Sequence, residues 1–329
     1  MNKHLITAGM AAGFLLLATT HPSHAAAEPY RETAKEKPGV FFHPACNNPA
    51  DQLELAHTKE LKNYLRSAGR QYRLLTLFWP NAPEAASAQL AFARNLDRRE
   101  MPKKAFDEFD RMLELYPQQA PVNTILEREL QIARQLMYAR KARFLFLPGF
   151  FAPERAAPLF QKIIERAPDW SRADEVQYLL ARCYQLSKQY ELAAPEFMTT
   201  QTRFPGSPYA EKAAFGYVLC SIRLAGEARY DENAIAEAFA FAAQFLTRYP
   251  NSSYVPRVKE YKNELYEKWA RLIFDIADFY EHGDHRNPQA ALAQYLRFVG
   301  QFPDSAFVPR ARARIATLSQ NKGDSSHAR

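Results

Sequence analysis

The chain has 329 residues, of which 47% are hydrophobic and only 11 are glycine, and its formal net charge is +7. This apolar content is enough for a folded core, and the scarcity of glycine argues against sandwiches and barrels that are rich in tight turns. The basic excess is spread along the chain, which is typical of a solvated surface and argues against nucleic-acid binding.

The first 25 residues have the pattern of a cleaved secretory signal. Lys3 supplies a positive charge, Leu5 to Thr20 form an apolar run, and Ser23-His24-Ala25 offers small residues for cleavage. The run is shorter than the roughly 20 residues that a bilayer span needs. We therefore predict export to the periplasm, the alternative being an uncleaved N-terminal anchor. Several prolines between residues 26 and 49 then predict an extended leader.

Residues 50–319 are organised by a repeated spacing, which is clearest between Leu179 and Tyr209. There Leu180, Ala181 and Tyr184 precede Ala193, and an aromatic residue, Phe197, and a proline, Pro205, follow Ala193 at fixed offsets. The same offsets recur five times, in Ala68, Tyr72 and Pro80; in Ala105, Phe109 and Pro117; in Ala156, Phe160 and Pro168; in Ala238 and Pro250, with Ala242 in the aromatic position; and in Ala291, Tyr295 and Pro303. In the last unit Ala277 and Tyr280 repeat the positions of Ala181 and Tyr184.

This spacing has a physical meaning in a pair of antiparallel helices. A small residue lets the two helices approach closely, an aromatic residue one turn later fills the adjacent groove, and a proline ends the second helix. The offsets match the tetratricopeptide pattern, with Ala181 in place of glycine. We predict an all-α fold, a superhelical array of about six tetratricopeptide-like helix-turn-helix repeats that close at prolines 80, 117, 168, 205, 250 and 303. Such arrays are protein-binding scaffolds.

The third unit carries an insertion that we predict to be functional. Its first helix is predicted from Val122 to Arg143, and the apolar segment FLFLPGFFAP follows from Phe144 to Pro153. This segment could be a knob that docks on a partner, a contact with a membrane surface, or a loop that folds back over an exposed helix pair. The candidate partner-binding residues are Arg140, Lys141, Arg143, Phe144, Phe146, Phe150 and Phe151.

The C-terminal region and the cysteines complete the prediction of structure. A final helix is predicted from Ala306 to Leu318, followed by a disordered tail over residues 320–329. Cys46, Cys183 and Cys220 are an odd number of cysteines. A disulfide between Cys183 and Cys220 would demand a narrow backbone separation, so two buried, inert thiols are the favoured interpretation.

The sequence offers no support for catalysis. It contains no G-x-S-x-G elbow, no phosphate-binding glycine loop and no H-E-x-x-H pair. His282 and His285 come nearest to a metal cluster, but two histidines in a polar loop are more typical of a solvated turn. We therefore predict that the protein is not an enzyme and has no catalytic residue, cofactor or metal site.

Three segments resemble the outer membrane protein assembly factor BamD family: FLTRYPNSSY from Phe245, ARLIFDIADFYEHG from Ala270 and FPDSAF from Phe302. The resemblance implies an exported tetratricopeptide protein at the inner face of the outer membrane that helps to assemble β-barrel proteins. Family members are lipoproteins of typically five repeats. This chain has six repeats, and its Cys46 lies far beyond the apolar signal run.

The predicted function is therefore that of a periplasmic scaffold that binds other proteins, in a role like that of BamD. The predicted partners are the β-barrel assembly machinery or other envelope proteins, with peripheral contact to the outer membrane and no nucleic acid. Two alternatives remain, a periplasmic adaptor for cell-wall or division machinery and a noncatalytic subunit of an envelope enzyme complex.

Overall fold

The computed structural model describes residues 43–141, 150–227, 230–282 and 286–327, so the predicted signal and most of the leader lie outside the described residues. The side chains of Arg140, Lys141, Phe150 and residues 321–327 are also outside this description. The helices are α1 Pro49–Leu61, α2 Leu65–Phe78, α3 Ala85–Arg98, α4 Pro102–Leu115, α5 Val122–Tyr138, α6 Ala157–Arg166, α7 Ala173–Leu186, α8 Tyr190–Arg203, α9 Ala210–Glu227, α10 Glu232–Arg248, α11 Val255–His282, α12 Pro288–Gln301 and α13 Val308–His327. Between α5 and α6 lie two short strands, β1 Arg140–Lys141 and β2 Phe150–Phe151, and a 3₁₀ helix, Pro153–Ala156. The fold is an all-α repeat array, as predicted.

The chain divides into two compact units, and the boundary falls inside α3, after Ala91. In the first unit α1 packs against α2 around the buried amide of Gln52. Gln52 Nε2 donates to Gln71 Oε1 at 2.7 Å, and Gln52 Oε1 accepts hydrogen bonds from the backbone N–H groups of Ala45 and Cys46. The end of the predicted leader is thereby attached to the first helix pair.

In the second unit consecutive helices pack against each other from α4 to α13. The first helices of neighbouring repeats also touch, α7 with α9 and α9 with α11. Val258 of α11 packs with Ala214 and Val218 near the start of α9, and Leu265 packs with Ala225 near its end. Helices α9 and α11 therefore run in the same direction, as first helices of successive repeats do.

The alanines and aromatic residues that defined the repeat are buried in the structure, and the closing prolines are exposed. The six alanines that precede each closing proline are buried, and the aromatic residues one turn later are buried with them. Each closing proline is exposed and stands two positions after the last residue of a second helix. Proline has no N–H to donate and its ring clashes with the preceding turn, which is why each helix ends just before it.

The aromatic residue missing at Ala242 is replaced three residues later. Phe245 of α10 is buried and packs with Ala214, Val218, Ala242 and Val258. Residues three apart lie on the same face of a helix, so Phe245 packs on the face of α10 that corresponds to the face of α8 carrying Phe197. Thr200, at the corresponding position of α8, is likewise buried, whereas α12 buries an aromatic residue at both positions, Tyr295 and Phe298.

A serine in the turn after each of the last three second helices ties that turn to the preceding first helix. The side chains of Ser207, Ser252 and Ser305 donate to carboxylates of α7, α9 and α11, respectively Asp174, Glu211 and Glu267. Each serine also accepts a hydrogen bond from the backbone N–H two residues later. These turns include the YPNSSY and FPDSAF segments that carry the family resemblance.

Two predicted helix ends are wrong. Helix α5 ends at Tyr138 rather than Arg143, because Ala139 is extended and Arg140–Lys141 pair with Phe150–Phe151 as an antiparallel strand. Helix α13 continues to His327 rather than stopping at Leu318, so most of the predicted disordered tail is helical. Extending an anchored helix adds one hydrogen bond for each residue fixed, and no proline interrupts this one after Pro309.

Candidate partner-binding site

The two short strands form the base of the insertion that was predicted to bind a partner. Arg140 faces Phe151 and Lys141 faces Phe150 in the antiparallel register. Beside this stem two aromatic side chains are exposed, Tyr138 by 59% and Phe151 by 45%. Of the other candidates, Arg143, Phe144 and Phe146 lie outside the described residues. The exposure of Phe151 shows that at least this phenylalanine is not covered by the neighbouring helices.

The stem is attached to the turn between α7 and α8. The backbone N–H of Glu154 donates to Ser187 Oγ at 3.1 Å, and Ser187 Oγ donates to Glu154 Oε2 at 2.8 Å. Ala152, Pro153 and Ala156, which flank Glu154, are buried. The exposed Phe151 is thus three residues from a point fixed to the α7–α8 turn. Sequence reasoning missed this contact, because Glu154 and Ser187 are far apart in the chain and neither has a distinctive pattern around it.

A groove of about 610 Å³ opens next to the same turn. Its volume lies within the range of about 300–1,000 Å³ that is usual for ligand sites. The groove is lined by the α7–α8 turn and the first residue of α8, by the end of α9 and by the middle of α11. The lining residues are Lys188, Tyr190, Ile222, Arg223, Gly226, Glu227, Glu264, Leu265 and Lys268.

One charged side chain of the groove has a hydrogen-bond partner among the described residues of the protein, and four others do not. Lys268 Nζ donates to the carbonyl of Ala225 at 2.5 Å and so satisfies an acceptor at the C-terminal end of α9. Burial lowers the pKa of Lys268. Within the described part of the chain, the side chains of Lys188, Arg223, Glu227 and Glu264 make no ion pair or hydrogen bond. The groove therefore presents two cations and two carboxylates to solvent.

The wall formed by α11 continues beyond the end of α9. Helix α11 runs from Lys268 to His282, about 20 Å further at 1.5 Å per residue. Arg271, Asp275 and Phe279 follow Lys268 on the same helical face, and all three are exposed. Arg271 and Asp275 form an ion pair at 3.7 Å. Phe279 is the last of these exposed residues, and its ring is exposed to solvent. This face lies opposite the side that packs on α12 and α13.

A strongly perturbed carboxyl group, that of Glu129, lies elsewhere, between α4, α5 and α6. Burial and the neighbouring Asp110 raise the pKa of Glu129 to about 8. Burial acts to raise the pKa of Asp110 as well, but hydrogen bonds from Lys162 and Arg166 bring it below its usual value. The contacts of Asp110 with Lys162 and Arg166 join α4 to α6, and Glu129 lies beside them on α5.

The surroundings of the cysteines and of His282 are described by the structure. All three cysteines are free, and burial raises the pKa of Cys183 and of Cys220 to about 12. His282 lies 3.3 Å from Asp278 and contacts Arg314, whereas His285 lies outside the described residues. In the residues that are described, no group of three or more potential metal ligands comes together.

A comparison with protein families finds a match to part of the chain. The profile of the YfiO family, described as outer membrane lipoprotein, matches residues 153–285, which is less than half of the chain. YfiO is the BamD family. The chain is thus a tetratricopeptide protein that resembles BamD. The matched segment includes Glu154, Ser187 and every residue that lines the groove.

Solved structures of several tetratricopeptide proteins resemble the chain with low sequence identity. YrrB, a TPR protein with an unusual peptide-binding site, is 15% identical, covers 70% of this chain and 93% of its own, and has a TM-score of 0.30. PilW, a type IV pilus biogenesis factor, is 15% identical over 83% of this chain and 99% of its own, with a TM-score of 0.28. A tetratricopeptide repeat protein from Parabacteroides merdae ATCC 43184 is 13% identical over 82% and 98%, with a TM-score of 0.31. No curated protein gives a significant match to the sequence.

Among the described residues, none of the helices combines the length and the apolar character that crossing a bilayer requires.

Proposed function

We propose that the protein is a noncatalytic scaffold of the periplasm that assists the assembly of β-barrel outer membrane proteins, in a role like that of BamD. One observation carries this proposal. The segment that matches the family profile is also the segment that holds the groove and fixes the stem beside it. Repeat arrays bind other polypeptides along surfaces of this kind.

The proposed location rests on the sequence. The N-terminal pattern of a secretory signal supports export, and the family description supports the outer membrane as the place of action. In contrast to a lipoprotein, this chain would contact the membrane peripherally. The exposed Tyr138 and Phe151 provide an apolar surface for a protein partner or for that contact.

Affinity purification from envelope extracts tests the proposal. The full chain with a C-terminal tag should recover a β-barrel assembly protein, and depletion of the protein should lower the amount of barrel proteins in the outer membrane. Recovery of division or peptidoglycan-synthesis proteins alone, with unchanged barrel levels, would remove the BamD-like role and favour the adaptor alternative. A fraction released by salt washing, rather than by detergent only, would support peripheral attachment.

A further inference from the structure

The turn between α1 and α2 exposes two large apolar side chains close together. Leu61 is 89% exposed and Tyr64 is 64% exposed, and Lys62 and Asn63 between them are exposed as well. Apolar residues that are exposed singly are common on protein surfaces, but a cluster of them often marks a contact site. A leucine that keeps nearly all of its surface in water adds little to the packing of this helix pair.

Hydrogen bonds close the backbone of this turn. The N–H groups of three consecutive residues donate to carbonyls in the last turn of α1: Lys62 to Thr58, Asn63 to Glu60 and Tyr64 to Lys59. Asn63 has a φ of 60°, a left-handed conformation that asparagine tolerates better than most residues. Carbonyls that already accept a hydrogen bond leave water at a lower cost than unpaired ones. The turn therefore holds Leu61 and Tyr64 in place and is suited to enter an apolar phase.

The charged side chains around the turn are mainly basic. Lys59, Lys62 and Arg66 lie in or beside it, and among the described residues their side chains form no ion pair or hydrogen bond. Glu60, the one acidic residue between positions 59 and 66, accepts a hydrogen bond from the hydroxyl of the buried Tyr72 at 2.7 Å. The turn thus combines exposed apolar surface with three cations that are available to anionic groups.

These properties fit the surface of an anionic bilayer better than they fit a protein partner. A specific protein interface buries on the order of 1,000 Å² or more, and two side chains on a protruding helix turn offer much less. At a bilayer surface, leucine and tyrosine are stable at the boundary between headgroups and acyl chains, and anionic headgroups attract lysine and arginine. The charge of the turn is therefore complementary to such a surface.

The predicted leader joins the helix pair at the other end of α1. Its last residues, Ala45 and Cys46, donate to the side chain of Gln52. Leu61 lies nine residues further along the helix, about 14 Å away at a rise of about 1.5 Å per residue. The attachment of the leader therefore leaves the turn exposed.

We infer that the α1–α2 turn inserts Leu61 and Tyr64 into the headgroup region of an anionic phospholipid bilayer, with Lys59, Lys62 and Arg66 against the lipid phosphates. The inference rests on the proposed function, which places the protein at the periplasmic face of the outer membrane. It identifies the residues that make the peripheral contact and the class of lipid that they recognise.

Flotation with vesicles tests this inference. The probes are vesicles of phosphatidylcholine alone and vesicles with about three parts of phosphatidylcholine to one part of phosphatidylglycerol. The full chain, purified from the envelope, should bind the anionic vesicles more tightly. Lys62→Gln with Arg66→Gln should weaken that binding about twentyfold, since each cation near an anionic surface contributes a factor of about five. Leu61→Ser with Tyr64→Ser should weaken it about tenfold or more.

Matched control variants carry the same kinds of change elsewhere. Leu192→Ser with Leu296→Ser replaces leucines of α8 and α12 that are 51% and 54% exposed. Lys259→Gln with Arg312→Gln removes exposed cations from α11 and α13. Both controls should bind anionic vesicles as the native chain does, and circular dichroism verifies that each variant is folded. Equal losses in the controls and the turn variants, or native binding without preference for the anionic vesicles, would overturn the inference.

A tryptophan in the turn reports whether the turn itself enters the lipid. The emission of Tyr64→Trp should shift to shorter wavelengths when anionic vesicles are added, in excess of any shift in the native chain with its three tryptophans. Emission at short wavelength before vesicles are added would show that another part of the chain covers the turn. Binding without an excess shift would show that a different surface contacts the bilayer. Either result contradicts the inference.

The envelope purification separates this inference from the proposed function. If the native chain binds neither kind of vesicle but recovers a β-barrel assembly protein, the inference fails and the proposed function stands. Loss of that protein from the variant Leu61→Ser with Tyr64→Ser would then assign the turn to a protein contact. If the vesicles bind as expected but no assembly protein is recovered, the turn is correctly assigned and the proposed role is wrong.

Discussion

The ring of Phe197 lies directly against the backbone of Gly216. Phe197 is fully buried in α8, and a Cβ placed on Gly216 of α9 would lie only 2.5 Å from its Cζ. Gln185 of α7 donates to the carbonyl of the same glycine at 3.4 Å. Gly216 is therefore the position at which three helices of two repeats meet, and the close approach depends on its missing side chain.

We predict that Gly216→Ala destabilises the protein by up to about 2 kcal/mol. Replacing a helical glycine with alanine ordinarily stabilises by about 1 kcal/mol, but overpacking of a filled core costs about 1–3 kcal/mol, and the added Cβ would overlap the buried Phe197 ring. Urea denaturation measures the change. Gly226→Ala on the same helix is the control and should be neutral or slightly stabilising, since nothing lies within 4 Å of the added atom. Equal effects at both glycines would contradict the packing argument.

We predict that Ser252→Ala costs about 1–2 kcal/mol. Its Oγ donates to Glu211 Oε1 at 2.6 Å and accepts from the backbone N–H of Tyr254 at 3.1 Å, so the change leaves two polar groups without that partner. Thermal unfolding measures the melting temperatures of Ser252→Ala and of the control Ser253→Ala, which removes an exposed hydroxyl from the adjacent residue. The comparison would refute the role of the serine if both variants melted at the same temperature.

We predict that Glu129→Gln stabilises the protein increasingly as the pH rises from about 5 to 8. The folded state raises the pKa of Glu129 from 4.5 to about 8, so the folded protein binds a proton that the unfolded chain releases over this window. The contribution of Glu129 to the free energy of unfolding is therefore fully present below pH 4.5. This contribution falls as the pH rises to 8, by about 1 kcal/mol for each pH unit. The glutamine variant cannot ionise and avoids this loss.

Unfolding free energies measured at half-unit pH intervals test this dependence. Glu165→Gln, an exposed position on α6, is the control and should leave the profile unchanged. A constant difference between the native protein and Glu129→Gln from pH 5 to 8 would show that Glu129 is already ionised in the fold.

We predict that Glu100→Gly stabilises the protein by about 0.5–1 kcal/mol. Glu100 has a φ of 56° in the turn between α3 and α4, a left-handed conformation that strains residues with a side chain. Asn63 and Lys188 have similar values in the corresponding turns after α1 and α7. Lys259→Gly, in the exposed interior of α11, should instead destabilise by about 1 kcal/mol. Urea midpoints that shift in the same direction for both variants would contradict this explanation.

The repeat could be predicted from sequence because its rules are local. The pattern lies within one helix and its end: an alanine, an aromatic residue one turn later and a proline eight positions beyond that. Ala193, Phe197 and Pro205 therefore predict their helix without any knowledge of what it packs against. The burial of Phe245, three residues after Ala242, also follows a local rule of helical spacing. It was missed because only the aromatic offset of the other repeats was considered.

The sequence by itself determined the all-α repeat class and the aromatic content of the insertion after α5. Only the tertiary structure decided where the insertion is attached and where a groove opens. The attachment joins Glu154 to Ser187, and the groove gathers residues from Lys188 to Lys268. The physical reason is that both depend on where successive helices end relative to one another. Helix α11 continues past the end of α9, and no local pattern in either helix contains that relation.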